Sequence, residues 1–174
     1  MTVTLHPIAA TDAAELLRFE TENRAFFERS IAGADDEFYT LGSIEHFIAE
    51  RAGEWAEGSS YYYLVRDVAG ELVGRVSLFD VQRGLIQAAE IGYRMAERHS
   101  DKGYAKAAVA QVVRDAFGLY GLHRLEAATS PKNVASQTVL LKNGFEFWGR
   151  ARRSYRLSGV WEDTVMFERH ADGV

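Results

Sequence analysis

The run Arg98-His99-Ser100-Asp101-Lys102-Gly103-Tyr104-Ala105-Lys106 joins a β-rich stretch ending at Met95 to an amphipathic helix, and the reading of the chain turns on it. A glycine-bearing turn that enters a helix gathers unpaired backbone N–H groups at the positive end of the helix dipole, an arrangement that suits phosphate. Small residues at Gly103 and Ala105 let a ligand come close. Arg98, Lys102 and Lys106 concentrate positive charge in a chain whose net charge is −5. Taken alone, the turn reads equally well as a solvated helix start. Downstream, Val109, Val112, Val113, Ala116, Phe117 and Tyr120 recur at spacings of three, one, three, one and three. They predict a helix over Gly103–Tyr120 with one buried face, stopped by Gly121.

Working outward, His123–Thr129 reads as a strand, so strand, helix and strand form a unit that usually makes a parallel crossover. A short helix over Asn133–Lys142, ended by Asn143-Gly144, and two β-like runs, Phe145–Leu157 and Trp161–Arg169, follow, the runs turned by Ser158-Gly159. Toward the N-terminus, Tyr61–Arg66, Leu72–Asp80 and Leu85–Met95 are β-rich runs with Gly70 and Gly84 in the turns, an antiparallel meander. Before them come a short strand over Val3–Ile8 and a helix opened by Asp12 and Glu15 that ends near Arg29. The loop Ser30–Gly42 is followed by a second helix, capped by Ser43, with Ile44, Phe47, Ile48 and Trp55 on one face. The order β-α-α-β-β-β-α-β-α-β-β predicts a mixed α/β sheet containing a parallel pair, in one domain over residues 1–174.

Composition narrows the chemistry. The 174 residues are 47% hydrophobic and 26% charged, an ordinary globular balance long enough to bury a core without staples. With no cysteine there is no disulfide framework, thiolate zinc site, iron–sulfur cluster or cysteine acyl-enzyme. The five histidines show no pair at metal-ligand spacing, so no metal is expected. A surplus of 25 acidic over 20 basic residues argues against nucleic acid as a partner. No basic segment followed by an apolar run opens the chain, and no apolar run reaches 18 residues; a cytoplasmic protein without membrane association is the expectation.

The turn keeps informative company. Glu90-Ile91-Gly92-Tyr93-Arg94 precedes it; Asn133-x-x-Ser136, Lys142-Asn143-Gly144-Phe145 and Gly159-x-Trp161-Glu162-Asp163 follow, and Glu22-Asn23-Arg24 stands ahead of Phe26-Phe27. Together with Ser100-Asp101-Lys102-Gly103-Tyr104-Ala105, set against the signature Gln/Arg-x-x-Gly-x-Gly/Ala, the chain resembles the GNAT superfamily of acetyl-CoA-dependent N-acetyltransferases. The resemblance is to the branch of the RimJ/RimL ribosomal-protein N-terminal acetyltransferases. It implies a mostly antiparallel seven-stranded sheet whose central parallel pair splays to admit coenzyme A. Tyr93, Arg94 and Met95 would hold the pantetheine by backbone groups, and Ser100, Asp101, Lys102, Gly103, Tyr104, Ala105 and Lys106 the pyrophosphate, with Asn133 and Ser136 beside them. Ser100 and Asp101 depart from the family pattern of Gln or Arg followed often by Gly. An aspartate beside a pyrophosphate implies weaker affinity or an altered pose, less so if it faces solvent.

The resemblance also implies direct transfer to an amine. Glu90 is the expected base, acting directly or through one water, or else a structural carboxylate that fixes its neighbours. Ser136 is expected to serve the departing thiolate, with a second reading in which Asn133 and Ser136 merely cap a helix. Phe26, Phe27, Phe38, Tyr39 and Glu90 are expected on the acceptor side, where Asp35 and Asp36 would attract a cationic amine. The expected acceptor is a protein or peptide N-terminal amine; a small amine such as a polyamine or an antibiotic, or a catalytically silent acyl-CoA-binding module, are the alternatives. The assembly is a monomer or a homodimer.

Overall fold

A computed structural model describes residues 2–171. Among these residues the strands are β1 (Thr4–Pro7), β2 (Tyr61–Arg66), β3 (Leu72–Gln82), β4 (Ala88–Met95), β5 (Arg124–Thr129), β6 (Glu146–Leu157) and β7 (Val160–His170), and the helices α1 (Ala13–Phe27), α2 (Leu41–Glu57), α3 (Tyr104–Gly118) and α4 (Val134–Lys142). One sheet in the order β1-β2-β3-β4-β5-β7-β6 contains all the strands, and only β4 and β5 run parallel. The expected element order and the crossover through the Gly103 helix are both present.

The sheet is covered on both faces. On one, Ala108, Val109, Val112, Val113 and Ala116 of α3 and Leu140 of α4 pack on Val76, Leu78, Ala89, Ile91 and Leu125. On the other, Leu16, Phe19 and Phe27 of α1 and Ile44 and Ile48 of α2 pack on Leu64 and Leu72. The alternation of β2 follows: Tyr61 and Tyr63 enter the first core while Tyr62 packs beneath α2 against Phe47. At Gly74 the meander closes so tightly that a Cβ would stand 2.6 Å from the carbonyl oxygen of Arg94.

Three local details differ from the sequence reading. Thr40, not Ser43, caps α2: its hydroxyl accepts the Ser43 N–H, while the Ser43 hydroxyl donates to the Glu37 carbonyl. Asp12 does not cap α1 but closes the short 3-10 turn Ala10–Asp12, accepting the Ala9 N–H, and pairs with Arg66. β4 begins at Ala88 rather than Leu85, because Leu85 and Ile86 project from the β3–β4 turn into solvent. In the outer hairpin, Asp163 binds both Arg150 and the backbone N–H of Arg153, which holds the irregular stretch of β6 where Arg153 adopts a positive φ of 49°. Those contacts, together with Lys132 on Glu162, account for the acidic pair after Trp161.

Candidate active site

Strands β4 and β5 are in register only at Ala88–Arg124, Ala89–Leu125 and Glu90–Glu126. Beyond Glu90 they part, although β4 stays paired with β3 as far as Met95 and β5 with β7 as far as Thr129. The parting opens a cleft of about 1100 Å³. Its walls include Tyr93, Arg94 and Met95 on one side, Ala127 to Ser130 on the other, and the start of α3 at one end.

Of the turn residues, Ser100, Asp101, Gly103, Tyr104, Ala105 and Lys106 line the cleft and Lys102 does not. Gly103 enters α3 with φ of 81°, and the first helical hydrogen bond is that of the Ala107 N–H to the Gly103 carbonyl, so the preceding N–H groups have no helical acceptor. Asp101 has a φ of 58°. That left-handed conformation is the physical reason a glycine suits the position, and aspartate is among the few other residues that tolerate it. The Asp101 side chain is exposed, so solvent screens part of its charge toward an anion in the cleft. His99, 8% exposed, anchors the turn from behind: Nε2 meets Glu71, which also pairs with Arg98, while Nδ1 has no hydrogen-bond partner.

Asn133 caps α4 by accepting the Ser136 N–H. The capping reading is thus realised, and Ser136 also lines the cleft. There its Oγ lies 3.0 Å from the Tyr93 hydroxyl, which donates to the Ser136 carbonyl at 3.1 Å. Burial pushes the Tyr93 phenol up to about 12, although the Ser136 hydrogen bond opposes this, so the phenol stays protonated near neutrality. With the phenolic hydrogen committed to the carbonyl, the Ser136 hydroxyl hydrogen rests on the Tyr93 oxygen or turns into the cleft.

The opposite wall is built from α1 and the outward face of β3 and β4. Phe26 and Phe27 line the cleft; Phe38 and Tyr39 do not. Phe38 packs edge-on against Phe47, and Tyr39 lies beneath the Arg24 guanidinium. Asp36 is paired with Arg24 at 2.7 Å. Glu90 lies on the same strand face as Gly92 and Arg94 but is not a wall of the cleft: Phe79, its register partner on β3, stands over Gly92 between them. Burial, with the carboxylates of Asp80 and Glu126 adding, holds the Glu90 carboxyl above its usual range.

The family model described as an acetyltransferase (GNAT) domain matches residues 2–146. The chain belongs to the GNAT acetyltransferase family. The probable N-acetyltransferase YjcK of Bacillus subtilis (strain 168) is 38% identical over 163 residues, 93% of this chain and 90% of that protein. The [ribosomal protein uS5]-alanine N-acetyltransferase of Escherichia coli (strain K12) is 27% identical over 163 residues, 89% of this chain and 80% of that one. Mycobacterium smegmatis RimJ in complex with CoA-disulfide superposes with a TM-score of 0.90 at 28% identity, covering 98% of this chain and 82% of that one.

Sequence reasoning missed one feature of the acetyltransferase cleft. Arg75 of β3 and Arg94 of β4 stand opposite each other in register, and both line the cleft. Glu20 of α1, only 2% exposed, lies between them, with Oε1 2.7 Å from Arg75 Nε and Oε2 3.3 Å from Arg94 Nη1. The Arg75 contact falls outside hydrogen-bond geometry, leaving both of its atoms buried without a hydrogen-bond partner. Burial, with Arg75 nearby, holds the Arg94 guanidinium down to about 10, against the pull of Glu20, so it remains a cation at neutral pH. Among the described residues no group of three or more His, Cys, Asp or Glu gathers to hold a metal, and no helix is long and apolar enough to cross a membrane.

Proposed function

We propose that this acetyltransferase moves an acetyl group from acetyl-CoA to the α-amine of a protein or peptide N-terminus. One observation carries the choice of acceptor: the cleft is open-ended. A second cavity of about 440 Å³ shares Ser30, Ser130, Asn133, Val134, Ala135 and Tyr155 with it and continues past Arg29, Leu157 and Glu162. A main chain entering amine-first has somewhere to lie, whereas a small amine needs a closed pocket. The RimJ likeness and the uS5-alanine relative agree with this reading.

The residues present suit coenzyme A. The parted edge of β4 offers unpaired backbone groups at Tyr93 to Met95, and the N–H groups before Ala107 face the cleft end where a pyrophosphate would sit. Bound acetyl-CoA supplies an activated acyl carbonyl and a thiolate leaving group. A β4 backbone N–H stabilises the developing negative charge on the carbonyl oxygen. Glu90, about 7 Å along the strand from Gly92 and behind Phe79, takes the amine proton through a water. Its raised pKa brings it toward the operating range of a general base. Ser136 turns its hydroxyl from Tyr93 to the departing sulfur. The nitrogen–carbon bond forms, the carbon–sulfur bond breaks, and the proton leaves by Glu90.

Thiol release from acetyl-CoA, measured with short peptides, with spermidine and with no acceptor, tests the assignment. Turnover dependent on peptides supports it; equal or greater turnover with spermidine overturns the acceptor class, and none with any amine overturns the transferase reading.

A further inference from the structure

The cluster of Glu20, Arg75 and Arg94 carries more than the attachment of α1 to the sheet. Two cations directly opposite on neighbouring antiparallel strands repel, so their pairing asks for a compensating anion. Glu20 supplies one negative charge for two positive ones. The other acids nearby are committed: Glu28 and Asp36 to Arg24, and Glu97 to Arg29. Among the described residues no hydrogen bond reaches Nη1 or Nη2 of Arg75, nor Nε or Nη2 of Arg94. Both guanidiniums are held in place by aromatic faces, Arg94 over Phe27 at 5.0 Å and Arg75 over Phe47 at 5.7 Å. The acceptor wall therefore presents fixed, partly desolvated donors with one uncompensated positive charge.

We infer that the acceptor carries a carboxylate close to its reactive amine, and that Arg75 and Arg94 bind it. This rests on the transferase reading above and narrows it. The donors suit a carboxylate because guanidinium N–H pairs match its two oxygens, and a site of this sign disfavours polyamines and lysine-rich N-termini. The carboxylate comes either from an acidic side chain in the first residues of a peptide or from the main-chain carboxylate of a free amino acid.

The test uses Ala-Asp-Gly-amide, Ala-Asn-Gly-amide, Ala-Lys-Gly-amide and free alanine, with kcat/KM read by thiol release and binding read by titration calorimetry with and without CoA. The acidic peptide is expected to exceed its isosteric amide by roughly tenfold to a hundredfold in kcat/KM, through KM, and the basic peptide is expected to be poorest. Arg75→Gln and Arg94→Gln should each erase most of that ratio while leaving the KM for acetyl-CoA within about twofold. Preference for free alanine over the acidic peptide assigns the carboxylate to an amino acid. Equal values for acidic and neutral peptides, or a preference that survives both variants, overturn the inference. If no acceptor turns over, the transferase reading fails, and calorimetry still decides this one: acidic-peptide binding weakened by Arg94→Gln sustains it, and equal affinities for acidic and amide peptides refute it. Rescue of the ratio by Arg94→Lys, at intact thermal stability, separates ligand binding from a purely structural role.

Discussion

The two ends of the cleft are built on different principles. The α3 end is made from one short stretch, Ser100 to Lys106 without Lys102, and on the function proposed above would act through backbone N–H groups that any sequence with the right turn would present. The acceptor wall is made from side chains that the fold brings together from α1, β3 and β4, with Glu20 55 residues from Arg75 and 74 from Arg94. A backbone site tolerates side-chain change and holds a common ligand. A side-chain site can be rewritten by single substitutions that leave the turn untouched.

That contrast can be broken by mutation. The largest effect is expected at Glu90: Glu90→Gln should lower kcat by roughly a hundredfold or more near neutral pH. Because burial raises this carboxyl, it is protonated at the acid end and becomes a proton acceptor as pH rises through the raised value. The wild-type rate should therefore climb along an acidic limb that the variant lacks, read from pH–rate profiles. Next is Glu20→Gln, which leaves two partly buried guanidiniums without their shared carboxylate. It should cost about 3 kcal/mol in denaturant unfolding and affect the acceptor KM more than that of acetyl-CoA.

At the coenzyme end, Ser136→Ala should slow turnover roughly tenfold with little change in acetyl-CoA affinity if, as proposed, its hydroxyl donates to the leaving sulfur. If it instead weakens acetyl-CoA binding, Ser136 is a binding residue and the division of labour within that end needs redrawing. The smallest change is Asp101→Gly. It relieves a non-glycine left-handed residue and should raise stability by about 0.5–1 kcal/mol, together with a severalfold tighter CoA dissociation constant. An unchanged constant would mean the exposed carboxylate is fully screened.

What could be read in advance follows the same division. Val109, Val112, Val113 and Ala116 are buried as their spacing requires, because a helix face is a local property. The β4–β5 crossover followed from the strand-helix-strand order alone. Helix caps were harder: Thr40 and Ser43 both offer hydroxyls and both donate to the Glu37 carbonyl, and the cap falls to Thr40 because α2 begins at Leu41, two residues before Ser43. The acceptor wall was least legible. Asp36 looked like a lure for a cationic amine until the fold set Arg24 against it, whereas Arg75 sat unmarked in a strand whose register with Arg94 only pairing reveals. Phe38 and Tyr39 share the hydrophobic character of Phe26 and Phe27, and only packing assigns the first pair away from the cleft.

The parting of β4 and β5 has a mechanical consequence. Seven register pairs tie β3 to β4 and six tie β5 to β7, but only three hold β4 to β5. The middle of the sheet is therefore its weakest seam in backbone pairing, with a block of β1 to β4 on one side and a block of β5, β7 and β6 on the other, bridged by the core beneath α3 and α4. In deuterium exchange the two blocks should open with separate free energies. A molecule lying in the parting would act as a rivet between them, so that filling the cleft slows exchange on both sides of the seam at once.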